Sequence, residues 1–438
     1  MRQWNKEPAR KFYRSRSFVL VGLARKAFAM FLSKTSVHLV LAAVFVLASY
    51  SGVTIKPADA ATRAVKHPQA PPAQSNQTPN GIDESRRFSA QDQDAAIVPG
   101  FSDARFFASS EQDFFRALPQ SNGAKSGAWL ALSAGGVDGA FGAGLLNGWS
   151  ARGARPDFAV VTGVSAGALI APYAFLGSRY DDQLRTALTT ITDADVFEAG
   201  QTPLSLLDTW PLRRLLEKRI TPEMLADIAA EHHRGRRLFV VTTNLDAGRA
   251  VVWNMGAIAA RRDDTALKLF RDVLLASAAL PGVFPPVFIE VEANGHRFRE
   301  MHADGGIGGP FFAAPESWLV GTSQTRLPTR QLYIIVNGKL TPEFEVTPSS
   351  TSGVLGRSFS AAVKTGTRVE IANLFAAAQR DSIDIKVAQI PESFNHPSRG
   401  LFDPDYVKAL FDLGFRQAQA DQAFSDHPPT RVSQRPTQ

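Results

Sequence analysis

The chain has 438 residues, 44% hydrophobic and 20% charged, enough apolar material for a large core and too much for a mostly disordered chain. Its formal charge of +7 is concentrated at one end: residues 1–34 hold nine Lys or Arg and one Glu, a local +8 that leaves the remainder at −1. No basic stripe remains for phosphates, so nucleic-acid binding is not expected. The absence of cysteine excludes disulfides, thiolate metal sites, a cysteine nucleophile and a lipid-modified N-terminal cysteine.

The N-terminus reads as an export signal covering residues 1–60. A basic leader precedes the apolar run Leu39 to Ala48, and Ala58-Asp59-Ala60 offers small residues at the spacing a signal peptidase reads. That run is well short of the roughly 20 apolar residues that cross a bilayer. Met30 opens a stretch that would make a more ordinary signal by itself, so the start could lie there. An uncleaved membrane anchor, pairing the segment Phe18 to Leu32 with the later run, is the competing reading. The expected compartment is periplasmic or extracellular. Residues 61–120 follow as a flexible linker and lead-in, whose Pro, Gln, Ala and Ser content up to about Asn80 lacks an apolar period. A single catalytic domain is expected over 121–424, with 425–438 as a disordered tail.

Within that domain Ala128–Ser133, Phe158–Thr162, Leu238–Thr243, Leu332–Val336 and Ile385–Ile390 read as strands, most of them continuous apolar runs of the kind covered on both faces. Helices are expected between them, at Pro222–Glu231 and Val363–Gln379. A last helix should be capped by Asp403, with Pro404 at its first position and Val407, Leu410 and Phe411 on one face. Asn294-Gly295, between VFIEVE and HRFREM, predicts a tight antiparallel hairpin. The alternation argues for an α/β domain with a mainly parallel sheet between helical layers.

Three clusters carry chemistry. Gly163-Val164-Ser165-Ala166-Gly167 is a G-x-S-x-G between a strand and a helix-like segment, where a sharp turn leaves no room for Cβ groups beside the serine and exposes its hydroxyl. Ser133 to Gly144 is glycine-rich, follows another strand and includes Gly135, Gly136, Val137 and Gly139. Its free N–H groups suit an anion. The glycine spacing fails the dinucleotide fingerprint and no Walker lysine follows, so an oxyanion hole on Gly135, Gly136 and Val137 fits better. Asp304-Gly305-Gly306 ends the hairpin's second strand; alone it is weak evidence, since Asp-Gly is common in turns.

The order of glycine-rich turn, G-x-S-x-G and D-G-G resembles the patatin-like phospholipase family, supported by TTNLDAGRAVVWNMG and LLASAALPGVFPPV, over roughly Trp129 to Pro310. The resemblance implies a three-layer α/β fold and a lipid acyl hydrolase with Ser165 as nucleophile and Asp304 as base. It places the oxyanion hole on the turn starting at Ala134, and it implies a lipid substrate at a membrane or micelle interface, with no cofactor or metal. Two positions depart from the family's G-G-G-x-R-G turn: Ala134 replaces the first glycine and Asp138 the arginine. The lost positive charge suggests a preference for neutral or zwitterionic lipids.

A lone carboxylate base has a deficit to recover. Free Asp is about 2.6 pK units less basic than His, or about 3.5 kcal/mol. Burial of Asp304 and direct contact with Ser165 would recover much of it. Phe311 and Phe312 would form that apolar wall, line an acyl channel, or simply fill the core. Two alternatives stay open: a Ser-His-Asp esterase using Ser165, Asp304 and either His396 or His302, and an inactive lipid-binding scaffold with Asp138 as the lesion. Adjacent His232 and His233 point to different sides of a helix and make a poor metal pair.

Overall fold

The structure is a computed structural model that describes residues 83–118, 127–200, 204–344 and 346–428. The chain divides into Met1–Gln74 and Ser75–Gln438, and everything described belongs to the second unit. The expected export signal, the possible anchor, the early linker and the end of the tail lie outside the described residues. Among those that are described, no helix is long and apolar enough to cross a membrane.

Nine strands form one mixed sheet. In chain order they are β1 (Arg105–Phe107), β2 (Trp129–Leu132), β3 (Val160–Val164), β4 (Arg237–Asn244), β5 (Arg249–Asn254), β6 (Val287–Ala293), β7 (His296–Asp304), β8 (Gln331–Val336) and β9 (Asp384–Gln389). The spatial order is β1-β5-β4-β3-β2-β8-β9, with the β6–β7 hairpin joined to β4 through β7. The run from β4 to β9 is parallel throughout, while β1, β5, β6 and β7 pair antiparallel. β2, β3 and most of β4 are buried along their whole length, as their unbroken apolar sequences require.

Helices cover both faces, giving the three-layer α/β arrangement expected of a mainly parallel sheet. One face carries α1 (Gly139–Ala151), α2 (Ala166–Leu176), α3 (Asp264–Ser277) and α5 (Pro404–Gln419), whose apolar residues share one core with Leu130, Leu132 and Val240. The other face carries the second half of α4 (Thr351–Asp381), where Ile371 and Leu374 join Trp129, Phe239 and Phe312. α1 and α5 touch backbone to backbone: a Cβ on Gly144 would lie 2.0 Å from the Phe411 carbonyl oxygen, and one on Gly148 would lie 2.2 Å from that of Phe415.

The hairpin forms as Asn294-Gly295 predicts, with φ of 51° and 84° at the two turn residues, the left-handed pair that a two-residue loop needs. Asp403 caps α5 by accepting from Asp405 N at 3.0 Å, with Pro404 at the first position. Three boundaries differ from expectation: α4 starts at Thr351, twelve residues before the expected Val363. β3 extends through Gly163 and Val164 to the serine itself. The sheet also begins before residue 121, because β1 pairs with β5 and its Arg105 forks onto buried Glu300 of β7. A buried carboxylate needs such a partner, so the segment around residue 105 is part of the fold and not a loose lead-in.

Candidate active site

The sheet's own register brings Ser165 and Asp304 together. Along one edge of β4, β3 pairs up to Val164 opposite Val241, and β7 takes over with Asp304 opposite the next residue, Thr242. The C-terminal ends of the two strands therefore meet, and the residue following Val164 faces the last residue of β7. The Ser165 hydroxyl donates to Asp304 Oδ2 at 2.6 Å, across 139 positions of sequence.

Ser165 sits at φ 55°, ψ −120°, a strained conformation for a residue with a side chain, held by the turn between β3 and α2. The flanking glycines are required by contact. A Cβ on Gly163 would lie 2.5 Å from the Gly167 carbonyl oxygen, and one on Gly167 would lie 2.4 Å from that of Leu132. Gly305 is similarly confined, since a Cβ there would lie 2.3 Å from the Val241 carbonyl oxygen, while one on Gly306 would press on Asp304 Oδ1 at 3.0 Å. Gly139 opens α1 against Ala166, with 3.1 Å to its Cβ.

Asp304 is almost wholly buried, at 2% exposure. Its Oδ1 accepts from Gly306 N at 2.7 Å, its N–H donates to the Ala279 carbonyl at 2.9 Å, and its own carbonyl accepts from Thr243 Oγ1 at 2.9 Å. Burial pushes its carboxyl up to about 6, against the opposing hydrogen bonds from Ser165 and Gly306.

The glycine-rich turn lies beside this pair. The first donor of its helical ladder is Asp138, bonded to the Gly135 carbonyl at 3.1 Å, so the N–H groups of Gly135, Gly136 and Val137 precede the ladder. Gly136 has φ 57°, which explains its glycine. Ala134 at the family's first glycine is accommodated: it is buried, and its N–H donates to the Pro310 carbonyl at 2.8 Å.

Two residues that the sequence reading did not single out support the site. Ser277, at the end of α3 and fully buried, accepts the Ser165 N–H at 3.0 Å and donates to the Val241 carbonyl at 2.7 Å. It ties the nucleophile turn to β4. Asn337, just after β8, donates through Nδ2 to the Ser133 carbonyl at 2.8 Å and through its backbone to Ser133 Oγ at 2.9 Å. Its carbonyl oxygen would meet a Cβ on Gly135 at 2.0 Å. Ser277 lies in the LLASAALPG segment, but periodicity assigns it only to a helix end; Asn337 carries no local signal.

Asp138 departs from a simple negative charge at the turn. Its Oδ1 accepts from the Tyr406 hydroxyl of α5 at 2.8 Å, and burial pushes its carboxyl up to about 6. Glu343 acts in the same direction as burial, while Lys364 and Lys339 oppose it. The expected bias against anionic head groups thus rests on a carboxylate that is partly neutralised by its surroundings.

Neither candidate histidine reaches the pair. His302 is fully buried with its two ring nitrogens against Thr242 Oγ1 at 2.9 Å and Glu300 Oε2 at 3.1 Å. His396 is exposed and contacts the Pro397 carbonyl. Phe311 and Phe312 belong to the core, where Phe312 packs edge-on against Phe114 at 5.7 Å, and both border a cleft of about 770 Å³ that also reaches Gly306.

The family model for patatin-like phospholipases matches residues 130–315. Among solved structures, VipD from Legionella pneumophila is similar at 13% identity, covering 70% of this chain and 69% of its own, with a TM-score of 0.34. No curated protein matches the chain. Residues 130–315 of this chain are thus similar to patatin-like phospholipases.

Proposed function

We propose that the protein is an exported hydrolase that cleaves carboxylic esters of lipids, as a phospholipase A or lysophospholipase, through a Ser165 acyl-enzyme. The observation that carries this reading is the 2.6 Å contact between the Ser165 hydroxyl and a carboxylate buried at 2% exposure. Ser165 Oγ attacks the ester carbonyl carbon as its proton passes to Asp304 Oδ2. The N–H groups of Gly135, Gly136 and Val137 receive the negative charge that develops on the carbonyl oxygen. Collapse breaks the bond to the alcohol, which leaves with the proton held on Asp304. Water then attacks the acyl carbon, gives its proton to Asp304, and the acid departs as Ser165 regains its hydrogen.

The basicity of Asp304 supports the role. Raising its pKa from 3.8 to about 6 recovers about 3 kcal/mol of the difference between an aspartate and a histidine base. Gly306 N–H fixes Oδ1 and leaves Oδ2 to face the hydroxyl.

The test is product analysis of purified protein and its Ser165→Ala variant acting on phosphatidylcholine and lysophosphatidylcholine. Fatty acid release by the wild type alone supports the proposal. Equal release by both, or none from the wild type on any ester together with no labelling of Ser165 by a fluorophosphonate, defeats it and leaves the lipid-binding scaffold.

A further inference from the structure

The cleft of about 770 Å³ beside Gly306 has a wall made by one stripe of α4: Phe359, Val363, Gly366, Glu370 and Asn373, at the three- and four-residue spacing of a helix face. The opposite wall is the segment from Gly306 to Phe312, with Val241 and Ala250. Phe359 stands at the catalytic end, its Cζ 3.3 Å from where a Cβ on Gly306 would be, and that same Cβ position is 3.0 Å from Asp304 Oδ1. From Phe359 to Glu370 is eleven residues, about 16 Å along the helix axis.

Glu370 is out of keeping with these surroundings. Its Oε2 lies 3.7 Å from a Cβ position on Gly309, facing the cleft, and among the described residues it has neither a hydrogen bond nor an ion pair. Arg249, the cation on the opposite side, is held by Asp94 at 2.9 Å and lies over the Phe107 ring. Burial, with no cation to oppose it, pushes the Glu370 carboxyl up to about 8. In its protonated form it can both donate and accept a hydrogen bond.

A plain hydrocarbon chain entering this cleft would displace water and leave that acid without a partner. A hydroxyl carried on the chain would satisfy both of its functions. We propose that the cleft holds the substrate's acyl chain and that Glu370 selects chains bearing a hydroxyl group in their outer half. This rests on the hydrolase reading above. An extended alkyl chain built of bonds of about 1.5 Å advances about 1.25 Å per carbon, which sets the hydroxyl near the twelfth carbon.

The experiment compares p-nitrophenyl esters of stearic, 12-hydroxystearic and 2-hydroxystearic acids, which share one leaving group, on wild type, Glu370→Leu and Glu370→Gln. The wild type is expected to favour the 12-hydroxy ester over the plain one by about tenfold in kcat/KM. Glu370→Leu should remove or reverse that preference, Glu370→Gln should keep most of it, and the 2-hydroxy ester should gain nothing from Glu370. Hydrolysis of all esters with the same 12-hydroxy-to-plain ratio in wild type and Glu370→Leu overturns the proposal while leaving the hydrolase reading intact. Calorimetry of the free acids on Ser165→Ala and Ser165→Ala/Glu370→Leu reads the same selection without turnover. Tighter binding of 12-hydroxystearic acid only where Glu370 is present supports it, and equal binding by both variants overturns it.

Discussion

The two sides of the cleft beside Gly306 are built differently. At the dyad edge, Ser165 and Asp304 are fixed by strand register, by backbone hydrogen bonds and by glycines whose neighbours stand closer than any Cβ tolerates. Across the cleft, the described residues of α4 that are buried lie in its second half, while its first half is held by polar contacts such as those of Arg357 and Lys364 with Glu343. Its buried residues are Thr367, Ile371, Leu374, Ala377 and Ala378, while Val354 and Leu355 near its start are exposed. The difference teaches that the serine and aspartate are held by elements with no freedom to adjust, whereas the facing helix is held more loosely. The comparison makes predictions of graded size.

The largest belongs to the nucleophile. Ser165→Ala should lower ester turnover by about 10⁴-fold or more with little change in melting temperature, read by fatty acid release and calorimetry. Next, Gly135→Ala would force a carbon to 2.0 Å from the Asn337 carbonyl oxygen and tilt the neighbouring N–H groups, costing about 10²- to 10³-fold in kcat. A variant with full activity would show that the turn does not hold the oxyanion.

The pH profile comes third. Asp304 acts as a base only when ionised, so kcat/KM should fall tenfold per unit below about pH 6. The stability effect has the opposite sense. Because the folded pKa is raised from 3.8 to about 6, the contribution to stability is fully present below pH 3.8 and lost as pH rises through 6, about 3 kcal/mol for Asp304. Asp304→Asn should therefore melt higher than wild type at pH 8 and close to it at pH 3.5, which thermal unfolding at the two pH values would check.

A smaller effect is expected at the support. Ser277→Ala leaves the Ser165 N–H without its buried acceptor and should lower kcat about tenfold with KM nearly unchanged. The smallest lies on the loose wall: Phe359→Ala should shift KM for long-chain esters by a few-fold and the melting temperature by only a degree or two, in keeping with a half-buried ring. A large loss of stability there would contradict the contrast drawn between the two sides.

The same contrast separates what could be read from the residues alone. Strands buried on both faces, the Asn294-Gly295 hairpin and the Asp403 cap are local signals, and each appears where its chemistry places it. The two residues that meet at 2.6 Å were legible because a strained serine turn and a tight aspartate turn both demand glycine. The first part of α4 was missed: from Thr351 to Ala362 it carries small residues and two glycines without an apolar period, since little packs on it. β1 was missed because three residues make no pattern and their pairing with β5 is 146 positions away. Ser277, Asn337 and Glu370 gain their roles only from residues that folding brings beside them.

The account depends most on Asp304 taking the proton of Ser165. The direct test is the rate of fluorophosphonate labelling across pH 4 to 8 in wild type and Asp304→Asn, with the modified peptide identified by mass spectrometry. Labelling confined to Ser165, rising through about pH 6 and at least 10³-fold slower in the variant, is the predicted result. Equal labelling rates in the two proteins, or modification of a different serine, would contradict it.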